Sequence, residues 1–193
     1  MSQPIGRTAG PKRISVSEYH CMAETGRFSP EARVELIEGV IIDMTPIGCR
    51  HGGIVSQLTA LLLRAVGQRA IVYGQSAVRL GEWSEPQPDI ALLKPRIDYY
   101  KTSHPGPLDT LLIVEVSDST LGFDRDVKLP LYAMHGIPEV WIVDVNARRL
   151  HQYQRARPGA GADFREQITD RPGHLCLNAL PDVAVPLLEL WNY

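Results

Sequence analysis

The sequence has 193 residues, 44% hydrophobic and 22% charged, a balance that fits one globular domain with a sizeable core rather than two domains. Its formal charge of −2 excludes a global electrostatic pull toward nucleic acid, so any phosphate contact must come from local clusters. Cys21, Cys49 and Cys176 are widely separated and form no CxxC pair, which excludes a disulfide framework and a zinc-finger spacing; no apolar run approaches a membrane span, and a cytoplasmic protein with reduced thiols is expected.

Residues 1–13, rich in Gly, Pro and basic side chains, lack periodicity and read as a flexible arm before a single domain over 14–193. Ser15 and Glu18 have capping-box spacing, and Val16, Tyr19 and Met22 fall at helical intervals before Gly26. Val34–Ile37 and Val40–Met44 flank Glu38-Gly39, the pattern of a β-hairpin. From His51 the period changes: Ile54, Leu58, Leu61 and Leu62 make the stripe of a helix ending near Gly67. Ala70–Leu80, Pro88–Leu93 and Leu111–Val116 read as strands, the last two apolar enough to be buried on both faces. After Thr120, Val127, Leu131 and Met134 share a helical face and Gly136 closes it, with Pro130 marking a start or a kink. Val140–Val145 and Leu150–Gln154 form a hairpin around Asn146-Ala147, and 155–163 reads as a flexible loop before short C-terminal strands. The mixture predicts an α/β (α+β) fold, a mixed sheet with helices packed on it and additional hairpins.

An ionised carboxylate inside Leu111-Leu-Ile-Val-Glu115-Val costs several kcal/mol unless it is paired or bound to a cation, so Glu115 demands a partner. Alternation puts Ile113, Glu115 and Ser117 on one face. Asp89 opens the neighbouring apolar run, and strands lie roughly 4.8 Å apart, near enough for two carboxylates at matching heights to share one ion. Hard oxygen ligands with room for water suit Mg²⁺ or Mn²⁺ better than zinc. Lys128 lies in the first helix after Glu115, from which an ammonium can return to the pair to orient water or offset charge on phosphate. Asp124, Lys128 and Tyr132 share a helical face if that helix is continuous, which puts Tyr132 at the border of the site.

This order of residues resembles the PD-(D/E)xK nuclease superfamily, and within it the Uma family of restriction-endonuclease-like proteins. The matching pieces, from about Val34 to Tyr153, are Glu35-Leu-Ile-Glu-Gly39, His51, Pro88-Asp89-Ile-Ala, Glu115-Val-Ser117, Asp124 through Lys128 to Tyr132, and Gly136-Ile-Pro-Glu-Val-Trp141-Ile-Val-Asp144. The resemblance implies a restriction-endonuclease-like fold, Asp89 and Glu115 as metal ligands with the Val116 carbonyl completing the set, and Glu35 as an additional acid. Glu38 is the alternative first acid, although Glu38-Gly39 reads naturally as a turn. The usual superfamily lysine, two positions after the second acid, is Ser117 here; the resemblance implies that Lys128 has taken over its role. Lys-x-Pro-x-Tyr, a frequent form in that family, also accounts for Pro130.

His51 is either a base or phosphate contact or a capping residue beside Gly52-Gly53. Trp141 and Tyr153 read as packing residues, and the charges Arg96, Lys101, His104, Arg155 and Arg157 as candidates for backbone phosphate contacts. No nucleophile elbow or P-loop is present. Three functions follow: a Mg²⁺- or Mn²⁺-dependent endonuclease acting on DNA, with Glu35, Asp89, Glu115 and Lys128 catalytic and a homodimer supplying two active sites; a catalytically inactive nuclease-fold binding module in a mobile-element or regulatory setting; or a metal-dependent hydrolase of a small phosphate ester, which needs a closed pocket rather than an open cleft.

Overall fold

In the computed structural model, which describes residues 12–155 and 164–192, helix α1 (Val16–Glu24) starts where its capping chemistry dictates. The Ser15 hydroxyl accepts the Glu18 amide at 3.2 Å and the Glu18 carboxylate accepts the Ser15 amide at 2.9 Å, satisfying two otherwise orphaned donors. Of the expected N-terminal arm, Lys12 and Arg13 are described, Lys12 bonded to Glu18 and Arg13 to the Glu38 carbonyl; the remainder, like residues 156–163 with Arg157, lies outside the described residues. Strands β1 (Val34–Ile37) and β2 (Val40–Asp43) pair antiparallel around Glu38 and Gly39, whose φ values of 50° and 82° give the left-handed turn that matches strand twist.

Helix α2 (Cys49–Val66) buries Ile54, Val55, Leu58, Leu61, Leu62 and Val66 as one stripe. Six strands make the main sheet: β3 (Ile71–Gly74), β4 (Ile90–Leu93), β5 (Thr110–Ser117), β6 (Glu139–Asp144), β7 (Arg149–Arg155) and β8 (Phe164–Asp170), in that spatial order. Among the described strands only β5 and β6 pair in parallel, and the helical segment between them is the crossover such a pair requires. That segment runs as α3 (Leu121–Phe123), a π turn (Asp124–Lys128) and α4 (Leu129–Met134), closing at Gly136 with φ 81°. Strands β9 (His174–Cys176) and β10 (Ala184–Pro186) form a separate hairpin.

Alternation sends the two faces of the sheet to different partners. Ile90, Leu92, Leu112, Val114, Val116, Trp141 and Val143 pack on α2 and the C-terminal segment around Leu187, Leu190 and Trp191. Ala91, Leu93, Ile113, Val140 and Ile142 pack on the other face with Leu131, Tyr132, Ile137, Val78 and Leu80. Trp141 and Tyr153 are buried as expected of packing residues.

One strand is shorter than its sequence suggests. The ladder of β3 ends at Gly74 rather than at Leu80, because Gln75 turns with φ 44° and the chain leaves the sheet. Val78 and Leu80 remain buried, but their amides bond the carbonyls of Pro86 and Ser84 in a separate excursion, in which Glu85 bridges to Leu36 of β1. Among the described residues, no helix is long and apolar enough to cross a membrane.

Candidate functional site

Asp89 stands just before β4, where continuing the Ile90–Val114 register by one residue brings it opposite Glu115. Its Oδ2 accepts the Val116 amide at 2.8 Å and lies 3.1 Å from His51 Nε2. Glu115, buried in the middle of the sheet, accepts the Tyr132 hydroxyl on Oε1 at 2.6 Å, and the same oxygen lies 3.3 Å from Lys128 Nζ. The ammonium also reaches Glu35 Oε2 at 3.1 Å, an oxygen that accepts the Gln87 amide at 3.0 Å. Glu35, Asp89, Glu115 and Lys128 thus line one cleft of about 530 Å³, with His51, Val116 and Asp124 beside them.

A local irregularity supports the lysine. Through the π turn the Leu129 amide reaches back five residues to the Asp124 carbonyl, and both Asp124 and Lys128 face inward from it. Pro130 follows immediately in α4, with no amide to give to the carbonyl four residues earlier. The wider turn next to it is a form of helix that recurs at functional sites. The helix is therefore continuous enough for Tyr132 to meet Glu115, as the i, i+4, i+8 spacing requires, while its middle, Asp124–Lys128, is not α-helical.

Charge is unbalanced here. Glu35, Asp89, Glu115 and Asp124 converge around the buried ammonium of Lys128, with His51 and the less buried Arg33 also lining the cleft. Burial pushes the Glu115 carboxyl up to about 8, assisted by Asp124 and Asp89 and opposed by Lys128 and Tyr132. Burial pulls Lys128 down, but Glu115 and Glu35 outweigh it and hold the ammonium above the ordinary lysine range. The Asp89 hydrogen bond raises His51 against its partial burial, and burial followed by Glu115 holds the Tyr132 phenol far from ionisation.

The donor chemistry fits a hard divalent cation. No described hydrogen bond engages Asp89 Oδ1 or Glu115 Oε2, so each carboxylate keeps an oxygen for another ligand. Among the described residues, these acids do not make a group of three whose ligand atoms all lie within 4.8 Å of one another. Two carboxylates with water completing the shell is the usual coordination of Mg²⁺, which dehydrates reluctantly.

Comparison with known proteins shows the family and the fold. Residues 16–187 match the model of the Uma2 family, described as "Putative restriction endonuclease". The chain belongs to the Uma2 family. A crystal structure of a "putative nuclease belonging to DUF820" from Anabaena variabilis ATCC 29413 shares its fold, with a TM-score of 0.69 at 16% identity over 93% of this chain and 98% of that one. No curated protein matches.

The other expected residues of this Uma2 chain fall into place unequally. Val116 lines the cleft, and its described contact there is the amide given to Asp89. Ser117 is wholly buried and donates to Asp124 Oδ2 at 2.7 Å, where Thr120 also donates at 2.6 Å. Glu38 occupies the turn, while Glu35 faces Lys128. His51 caps nothing, since the N-cap of α2 is Gly48 without a side-chain bond. Arg96 is engaged by Asp98, Thr102 and Tyr100 rather than free for phosphate, and His104 lies beside His20. Gln87 and Asp124 were not singled out as site residues from the sequence. Gln87 acts through a backbone amide that no side-chain pattern reveals, whereas Asp124 lies on the helical face that its spacing to Lys128 and Tyr132 already gives it.

Proposed function

We propose that this Uma2 chain is a Mg²⁺- or Mn²⁺-dependent endonuclease acting on DNA, with Asp89 and Glu115 as the metal ligands and Lys128 as the catalytic cation. The observation that carries the reading is the position of Lys128 Nζ, 3.1 Å from Glu35 and 3.3 Å from Glu115 in a cleft otherwise rich in carboxylates. The bound ion would supply Lewis-acid polarisation of a scissile phosphate. The chain supplies the rest: Glu35 and Tyr132 fix the ammonium and the Glu115 carboxylate, and Lys128 offsets charge on a non-bridging phosphate oxygen or orients water. His51, hydrogen-bonded to Asp89 at the rim, is placed to take up or return a proton. Cutting both strands of a duplex needs two such sites, which a cytoplasmic homodimer would provide.

Cleavage of supercoiled DNA with Mg²⁺ or Mn²⁺, compared between wild type, Asp89→Asn and Lys128→Met, tests the assignment. Both variants are expected to lose on the order of 10²–10³-fold in rate. Equal residual cleavage in all three would remove these residues from the active site. Metal binding to the wild type without cleavage of DNA or RNA would instead favour an inactive nuclease-fold binding module, a role that Ser117 at the usual lysine position also suits.

A further inference from the structure

Outside the carboxylate cleft, His20, Glu85 and His104 come from three distant parts of the chain and offer ligand atoms that all lie within 4.8 Å of one another. His20 projects from α1, Glu85 from the excursion between β3 and β4, and His104 from the loop before β5. His20 Nε2 lies 2.7 Å from Glu85 Oε1, and the two imidazole rings meet edge to face with centroids 5.7 Å apart. A second observation points to a missing ligand: Glu85 is only 3% exposed, and its Oε2 is buried without a hydrogen-bond partner. A buried carboxylate oxygen left unsatisfied is costly, and such an atom calls for an ion or water.

We propose that His20, Glu85 and His104 form a binding site for a borderline transition-metal cation of the Zn²⁺ class, separate from the oxygen-ligand cleft. Two imidazole nitrogens and one carboxylate oxygen match the three-ligand sets in which zinc keeps its fourth position open, and they disfavour Mg²⁺ and Ca²⁺. Tetrahedral ligands at about 2.0–2.2 Å from zinc sit roughly 3.3 Å from each other, so small rotations of exposed His104 and half-exposed His20 complete the geometry. The ion would tie α1 and the 94–109 loop to the segment whose Glu85 backbone pairs with Leu36 and whose Gln87 amide holds Glu35. The cross-link would lie next to the strand that presents an acid to the cleft, with the fourth position of the ion left to water.

The test is Zn²⁺ uptake by the untagged full-length chain carrying Asp89→Asn, which breaks the Asp89–Glu115 carboxylate pair of the cleft. Calorimetric titration is expected to give one Zn²⁺ per chain, unaffected by excess Mg²⁺, with Co²⁺ giving the visible absorption of a tetrahedral nitrogen–oxygen site. His104→Asn and His20→Asn are expected to weaken Zn²⁺ by about 100-fold or more and to abolish that absorption. His104 is exposed, so its variant keeps the fold even if Glu85→Gln does not. No uptake by Asp89→Asn, or the same affinity and spectrum after His104→Asn, would overturn the site whether or not the chain cleaves DNA.

Discussion

Glu115 and Glu139 lie on parallel neighbouring strands, both are almost wholly inaccessible to solvent, and they are solved in opposite ways. Glu139 is saturated: Oε1 accepts Trp141 Nε1 at 2.8 Å, Gln152 Nε2 at 2.7 Å and Gln154 Nε2 at 3.3 Å, and Oε2 accepts the Asn178 amide at 2.8 Å. These neutral donors replace water, and the acid ties β6, β7 and the C-terminal segment together. Glu115 has a phenol and an ammonium on one oxygen and nothing on the other, beside more carboxylates than its lysine can neutralise. Burial alone therefore does not mark a functional acid. Burial with an unspent oxygen facing a cleft does.

The largest expected effect breaks the structural half of this pair. Glu139→Ala strands buried donors from Trp141 and Gln152 and leaves a void, costing about 3–5 kcal/mol of unfolding free energy in urea titration. The folded fraction keeps its metal affinity, since Glu139 does not line the cleft. Loss of metal binding in proportion to active-site variants, with little change in the unfolding midpoint, would reverse the roles given to the two acids.

The same pair shows what was legible in the sequence. Periodicity and turn residues located the capped first helix, both hairpins and the apolar strands, because each depends on side chains a few positions apart. Glu115 stood out against its apolar neighbours, strand adjacency linked it to Asp89, and family resemblance linked it to Glu35 and Lys128. Glu139 is equally buried but follows Pro138 at a strand start, where the sequence gives no sign of four donors arriving from residues 141–178. The end of β3 was misread because Val78 and Leu80 are as apolar as strand residues but fill the core from a non-ladder excursion. The π turn was hidden as well, since Asp124, Lys128 and Tyr132 keep a helical spacing whether the intervening turn is regular or widened.

A smaller, pH-dependent effect sharpens the functional half. With its folded-state value near 8 and an ordinary value of 4.5, Glu115 binds its proton more tightly in the folded chain. Without metal, its contribution to stability therefore falls as pH rises from about 4.5 and the penalty is complete above about 8. Glu115→Gln lacks that penalty, so metal-free unfolding midpoints should coincide at about pH 4 and favour the variant by on the order of 3 kcal/mol at about pH 9. Adding Mg²⁺ should stabilise the wild type and reverse the order, because a ligand that binds only the folded state adds to its stability. A variant advantage that is equal at both pH values, or indifferent to Mg²⁺, would mean that Glu115 is not the unspent carboxylate.

The smallest expected effect concerns Ser117, two residues along the same face from Glu115 and equally out of reach of water. Its hydroxyl holds Asp124, whose other hydroxyl donor, Thr120, stays in place when Ser117 is replaced. Ser117→Ala should therefore cost about 1 kcal/mol in unfolding free energy. If Asp124 steadies the π turn that presents Lys128, DNA cleavage should fall by about tenfold, as for the loss of a supporting contact, and not by the larger factor expected of Lys128→Met. A loss as deep as that of Lys128→Met would put Ser117 itself at the reacting phosphate, and no loss at all would separate the Asp124 network from the positioning of the lysine.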